Sequence, residues 1–162
     1  MKKMLLIFLL LVVYSTGVFA KDPQWKKFNE GIVEAKKSGK KILVDVYTDW
    51  CKWCKEMDKN TYADKNISAY LNKNFVIIKL NAEGNEMINY AGQSITPQDF
   101  AQRMGVDGYP ATVFLKSDGQ AITLLPGYSK PDQFIHVLSF ISENHYLKKQ
   151  FGDYLSEKGF KQ

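Results

Sequence analysis

Trp50-Cys51-Lys52-Trp53-Cys54 holds the only two cysteines of this 162-residue chain. Before it runs Lys41-Ile42-Leu43-Val44-Asp45-Val46-Tyr47, an apolar stretch broken by Asp45 and long enough for a buried strand. The two segments read as a strand feeding a helix that opens with a thiol pair. Thiols two residues apart can close a small disulfide ring and open it again, and with no third cysteine neither is committed to a structural bridge. The pair therefore reads as redox-active. Cys51 falls at the helix N-terminus, where unpaired backbone amides and the helix dipole stabilise a thiolate. Cys54, one turn inside, is placed to attack a mixed disulfide formed on Cys51. Zinc would need two further ligands, and His136 and His145, nine residues apart near the far end of the chain, do not match zinc spacing. Neither a metal nor an organic cofactor is expected.

Charges inside apolar runs are the next signal. A buried carboxylate is costly, so Asp45 needs a partner or a raised pKa, unless it lies at a solvated strand edge. Lys79, in Val76-Ile77-Ile78-Lys79-Leu80, is the same kind of interruption in the next strand and is a candidate partner across the sheet. Lys52 adds local positive charge beside Cys51. Trp53 reads either as a solvent-facing aromatic or as part of a docking surface, since large exposed aromatics concentrate at contact sites. Pro110, after Gly108-Tyr109, either simply begins a strand or marks a cis peptide bond.

Outward from this centre the pattern alternates helix and strand. Asp22-Pro23 reads as the start of a helix with Trp25, Phe28, Ile32 and Ala35 on one face, stopped at Ser38-Gly39. Helix is expected from Cys51 to about Asn60 and again over Asp64 to Leu71, with a second strand over Phe75 to Leu80. Residues 82–95 suggest a small hairpin or irregular insert. Thr96-Pro97-Gln98-Asp99 is a capping box with proline at the first helical position, opening a helix to about Met104. Strands over Ala111 to Leu115 and Ala121 to Leu125 are joined by the turn Ser117-Asp118-Gly119-Gln120. Ser129 to Asp132 reads as the cap of a further helix, and Tyr146 to Lys158 as a last amphipathic one. Phe28, Phe75, Phe114, Phe134 and Phe140 fall on apolar faces and are expected in the core. The order implies an α/β fold, a central mixed β-sheet flanked by helices, with its first two strands parallel and its last two antiparallel.

The first twenty residues carry a basic start at Lys2 and Lys3, an apolar run from Met4 to Tyr14 that is short for a membrane span, and small residues up to Ala20. This reads as a secretory signal cleaved after Ala20, with an uncleaved anchor as the alternative. Residues 21–162 then form one domain, with a C-terminal helical extension from about residue 146. The whole chain carries a net charge of +5; without Lys2 and Lys3 it has 20 basic and 17 acidic residues, or +3. That charge is too small and too scattered to suggest nucleic-acid binding.

Val44-Asp45, Trp50-Cys51-x-x-Cys54, Lys79-Leu80-Asn81, Gly108-Tyr109-Pro110 and Pro126-Gly127-Tyr128 resemble, in order and spacing, the landmarks of the thioredoxin superfamily. Tyr47 to Met57 is similar to the C-terminal domain of the DsbD reductant conductors. Ile88 to Tyr128, with its insert before the helix that precedes Pro110, is similar to SoxW-like periplasmic thioredoxins. The resemblance implies a thioredoxin fold and a set of roles. Cys51 would be the attacking nucleophile and Cys54 the resolving thiol of a redox disulfide. Asp45 would be the buried base that takes the Cys54 proton, tuned by Lys79. Pro110 would be a cis-proline facing the disulfide, with Tyr109 offering its backbone to substrate and Trp50 shielding the edge. Lys52-Trp53 departs from the family's usual dipeptides, so no substrate follows from it.

The expected function is an exported, periplasmic thiol–disulfide oxidoreductase acting as a protein-disulfide reductase. A thiol oxidase, a disulfide isomerase and a non-catalytic binding module are its rivals. Expected partners are disulfide-containing exported proteins and a membrane thiol-reductant donor such as a DsbD-like protein. The chain is expected to work as a monomer.

Overall fold

The computed structural model describes residues 22–160; the expected signal segment lies outside the described residues. In chain order the elements are α1 (Phe28–Ser38), β1 (Lys41–Tyr47), α2 (Lys52–Met57), a π-helical turn (Asp58–Tyr62), α3 (Lys65–Asn74), β2 (Phe75–Asn81), β3 (Ile88–Tyr90), β4 (Gln93–Ile95), α4 (Pro97–Arg103), β5 (Ala111–Leu115), β6 (Ala121–Pro126), α5 (Pro131–Ser142), a 3₁₀ turn (His145–Leu147) and α6 (Phe151–Glu157). The central sheet runs β2-β1-β5-β6, and β3 pairs with β4 as a separate hairpin. β1 and β2 are parallel, while β1–β5 and β5–β6 are antiparallel. The mixed sheet expected from the order of elements is the sheet observed.

Strand alternation divides the core into two layers. Val44, Val46, Ile78, Leu80 and Val113 pack on one face against Phe28, Ala35 and Phe100. Leu43, Ile77 and Phe114 pack on the other against Met57, Leu71, Phe134 and Leu138. All five phenylalanines expected inside are buried. Each such side chain contributes roughly 1.5–3 kcal/mol by burial. α1 comes close to β2 because Gly31 has no side chain: a Cβ there would sit 2.4 Å from Ile78 Cγ1.

Local chemistry explains most helix ends and corrects others. Thr96 Oγ1 accepts from the Asp99 amide at 3.0 Å, and Asp99 Oδ2 accepts from the Thr96 amide at 3.2 Å, the capping box read from the sequence. α1, however, starts at Phe28 rather than after Asp22-Pro23. Residues ahead of it run along the outer edge of β2, where Lys26 forms a parallel bridge with Ile78. The Lys26 amide donates to Ile77 O at 2.9 Å, and the Lys79 amide donates to Lys26 O at 3.2 Å. Sheet hydrogen bonds thus win over a helix cap.

α5 starts at Pro131 behind Lys130, whose backbone is extended (φ −73°, ψ 155°) because the proline ring disfavours a helical residue before it; the Ser129 carbonyl accepts instead from the Thr61 hydroxyl at 2.6 Å. The single C-terminal helix expected from Tyr146 is a 3₁₀ turn followed by a shorter α6, separated at Lys148–Gln150. No helix among the described residues is long and apolar enough to cross a membrane.

Candidate active site

Cys51 is the N-cap of α2 and Cys54 lies in its first turn. The two form a disulfide with Sγ–Sγ 2.10 Å. The Cys54 amide donates to Cys51 Sγ at 3.0 Å, so a free helix-end donor already faces the sulfur that would carry charge after reduction. In the disulfide the two residues are equally enclosed, 4% and 3% exposed, and it is position on the helix that separates them.

The rim of the disulfide is aromatic. Trp50 and Trp53 are 67% and 59% exposed, unusual for side chains of this size. Trp50 meets Tyr109 edge-on at 6.0 Å between centroids, and its Nε1 donates to the Glu83 carboxylate at 3.0 Å. Trp53 lies 5.5 Å from the Tyr128 ring. The Tyr109–Pro110 peptide is cis. Pro110 is buried, and its carbonyl accepts from the Gly127 amide at 2.8 Å, tying the start of β5 to the loop that holds Tyr128. Lys52 is exposed beside Cys51.

Beneath the rim lies a charged cluster. Asp45 is 1% exposed and shares the sheet face of Leu43, the face covered by α2, α3 and α5. Lys79 is its register partner on β2, and Lys79 Nζ lies 3.0 Å from Asp45 Oδ2. Asp58, first residue of the π-helical turn, ion-pairs with the same ammonium. Tyr62, last residue of that turn, places its hydroxyl 3.2 Å from Asp45 Oδ1 and 3.2 Å from Thr112 Oγ1. The Lys79 ammonium also lies 5.0 Å from the Trp25 ring centroid, 5.1 Å from Tyr47 and 5.8 Å from Tyr62, within cation–π range of all three.

Burial pushes the Asp45 carboxyl up to about 6, despite the charge and hydrogen bond of Lys79 pulling it down. Burial lowers the Lys79 pKa, but Asp45 and Asp58 together outweigh it and the net shift is upward. The Tyr62 hydroxyl is driven well above its ordinary value by burial and then by the Asp45 charge.

The structure thus pairs Asp45 with Lys79, and brings Trp50, next to Cys51, onto Tyr109, whose bond to Pro110 is cis; Lys52 and Trp53 lie on α2 between the two cysteines. Sequence reasoning missed Asp58, Tyr62 and Thr112 in the cluster and Glu83 and Tyr128 at the rim. Tyr128 alone had a signal, as the end of the Pro126-Gly127-Tyr128 landmark.

A family model described as a thioredoxin-like domain matches residues 28–142. The chain belongs to the thioredoxin-like family. Among curated relatives, the thiol:disulfide interchange protein DsbD of Escherichia coli (strain K12) is 31% identical over 94 residues, covering 58% of this chain. The aligned region is only 15% of that relative's length. The oxidised C-terminal domain of DsbD from Neisseria meningitidis superposes with a TM-score of 0.52 and 25% identity, over 71% of this chain and 90% of that one. A thioredoxin-fold protein from Helicobacter pylori shares the fold with a TM-score of 0.66 at 22% identity, over 75% and 80% of the two chains. A thioredoxin-like domain with a helix-capping CxxC disulfide supports thiol–disulfide oxidoreductase chemistry for this member of the family.

Proposed function

We propose that this thioredoxin-like protein is an exported protein-disulfide reductase. Cys51, as thiolate, attacks one sulfur of a substrate disulfide; a Cys51–substrate bond forms and the other substrate sulfur leaves as a thiolate. Cys54 then attacks Cys51 Sγ, giving its proton to Asp45. The Cys51–Cys54 bond forms, the substrate's second sulfur leaves, and the substrate has gained the two electrons the protein lost. Trp50, Trp53, Tyr109 and Pro110 form the surface on which the substrate chain lies, and Lys52 favours charge on Cys51.

The observation that carries the reductase direction is the buried Asp45 on the sheet face under α2. When ionised it opposes a nearby thiolate by like charge, so the dithiol is held less firmly than in an oxidant and gives up its electrons more readily. The similarity to DsbD supports a reductant donor of that type. An N-terminal signal over residues 1–20 would deliver the domain, residues 21–162, to the periplasm as a monomer. Insulin-disulfide reduction by the dithiol form tests the activity. Turnover lost in Cys51→Ser supports it, and no turnover by the intact dithiol protein refutes it.

A further inference from the structure

The Tyr62 hydroxyl sits between two buried oxygens. It lies 3.2 Å from Asp45 Oδ1 and 3.2 Å from Thr112 Oγ1, and Tyr62, Asp45 and Thr112 are each at most 1% exposed. Both distances are longer than an ordinary hydroxyl–oxygen bond, one group being shared between two partners. Three elements converge here: β1 supplies Asp45, the π-helical turn supplies Tyr62, and β5 supplies Thr112, which is paired with Asp45 in the β1–β5 register. Asp45 Oδ2 is occupied by the Lys79 ammonium, which also holds Asp58 and lies over the Tyr47 and Trp25 rings. An ammonium can only donate, so a proton added at Oδ2 would face it donor to donor. Oδ1 is therefore the oxygen free to gain a proton.

We infer that Tyr62 and Thr112 are positioning residues forming a reversible hydroxyl relay that satisfies Asp45 in both of its protonation states. With Asp45 ionised, the Tyr62 hydroxyl donates to Oδ1 and Thr112 donates to the Tyr62 oxygen. With Asp45 protonated at Oδ1, the direction reverses: Asp45 donates to Tyr62, and Tyr62 donates to Thr112. Hydroxyls act as donor and acceptor alike, so both arrangements use the same heavy-atom positions and keep Asp45 and the Tyr62 proton paired in each; only the terminal Thr112 proton gives up its partner when the direction reverses. No proton leaves Tyr62, whose burial beside a carboxylate keeps it neutral. The inference rests on the proposed role of Asp45 as base for Cys54: the thiol gives one proton to Oδ1 as the Cys51–Cys54 bond forms, and the relay turns over to receive it.

The relay makes an asymmetric prediction. Tyr62→Phe removes the donor to the ionised carboxylate, so the Asp45 midpoint should rise by roughly half a pH unit or more. Thr112→Val keeps that donor but strips Tyr62 of its acceptor in the protonated state, so the midpoint should fall. Thr112→Ser should restore the starting value. Because Thr112 acts only through Tyr62, the Tyr62→Phe/Thr112→Val double variant should match Tyr62→Phe alone.

The measurement is ¹³C NMR titration of the Asp45 carboxyl in the folded full chain, assigned by its loss in Asp45→Asn, with thermal melts showing which variants are folded across the titration. A variant too unstable to titrate is replaced by Tyr62→Leu or Thr112→Ala, which remove the same hydroxyl and carry the same expectation. Opposite shifts with serine rescue support the relay; shifts of one sign, or none, overturn it. Failure of the reductase reading would show separately, as absent insulin turnover with the carboxyl titration unchanged.

Discussion

Asp45 and Lys79 face each other across the parallel β1–β2 register and are ion-paired at 3.0 Å, yet the carboxyl still titrates near 6. Burial therefore costs the carboxylate more than the lysine returns. In the unfolded chain an aspartate titrates near ~3.9. The folded protein holds this proton more tightly, so the stability it contributes is full below about pH 4 and is lost as the pH rises through about 6. The displacement corresponds to about 3 kcal/mol.

Asp45→Asn should accordingly be more stable than the parent at pH 7.5, by about 1–3 kcal/mol, with the advantage vanishing near pH 4. Lys79 keeps Asp58 as its partner in that variant. Urea unfolding at both pH values checks it. An advantage of equal size at both would mean that Asp45 ionisation is not its source.

The same carboxyl should gate turnover. Release of substrate from a Cys51 mixed disulfide should slow as the pH falls below about 6, where Asp45 is already protonated and cannot accept from Cys54. Asp45→Asn should be slow throughout and lose that inflection. Single-turnover kinetics with a Cys51-linked peptide read the step directly.

Cys51 and Cys54 should divide the work by helix position. Cys51→Ser should abolish reduction, and Cys54→Ser should accumulate mixed disulfides. In the reduced protein Cys51 should alkylate first, because its sulfur sits at the amide-rich end of α2. Mass spectrometry after brief alkylation settles the order, and faster labelling of Cys54 would reverse the assignment.

The reduction potential should lie below about −180 mV, on the reducing side of the isomerases and far from the strong oxidants near about −120 mV. Lys52 works against this, but an exposed, flexible ammonium has a modest effect. Equilibration with dithiothreitol or glutathione buffers gives the value. A potential at the oxidant end would make the protein a donor of disulfides.

Trp53→Ala should raise KM for a protein disulfide several-fold, on the order of 3–10, while leaving reduction of a small aromatic disulfide nearly unchanged. The basis is the exposed Trp53 ring against Tyr128 at the rim. Equal loss on both substrates would place Trp53 in the helix's own stability instead.

Much of the site was legible because its residues break patterns. Two cysteines with no third, an acid inside an apolar strand and a lysine inside the next one all stand out in one dimension. Asp58, Tyr62 and Thr112 break nothing. They are ordinary residues in polar or β-branched surroundings: Asp58 and Tyr62 come from a π-helical turn, a change of helical pitch that apolar periodicity does not register, and Thr112 comes through the β1–β5 register. The start of α1 misled for a related reason. Asp22-Pro23 is sound helix-start chemistry, but the unpaired edge of β2 offered the backbone of Lys26 better partners. Ser129 misled for a local reason, Pro131 keeping Lys130 extended and so moving the cap one residue on.

That pairing of Lys26 with β2 also guards the protein against its own kind. β2 and β6 are the two outer strands of the sheet, and an unpaired outer strand is a template on which a second copy can add. At the middle of β2 the template is occupied by the chain itself, through the two hydrogen bonds of Lys26, next to the Trp25 ring that lies against the Lys79 ammonium. Trimming the residues ahead of Phe28 would bare this strand and loosen the charged cluster in one stroke. The damage would be seen as concentration-dependent self-association alongside a weakened Asp45–Lys79 pair.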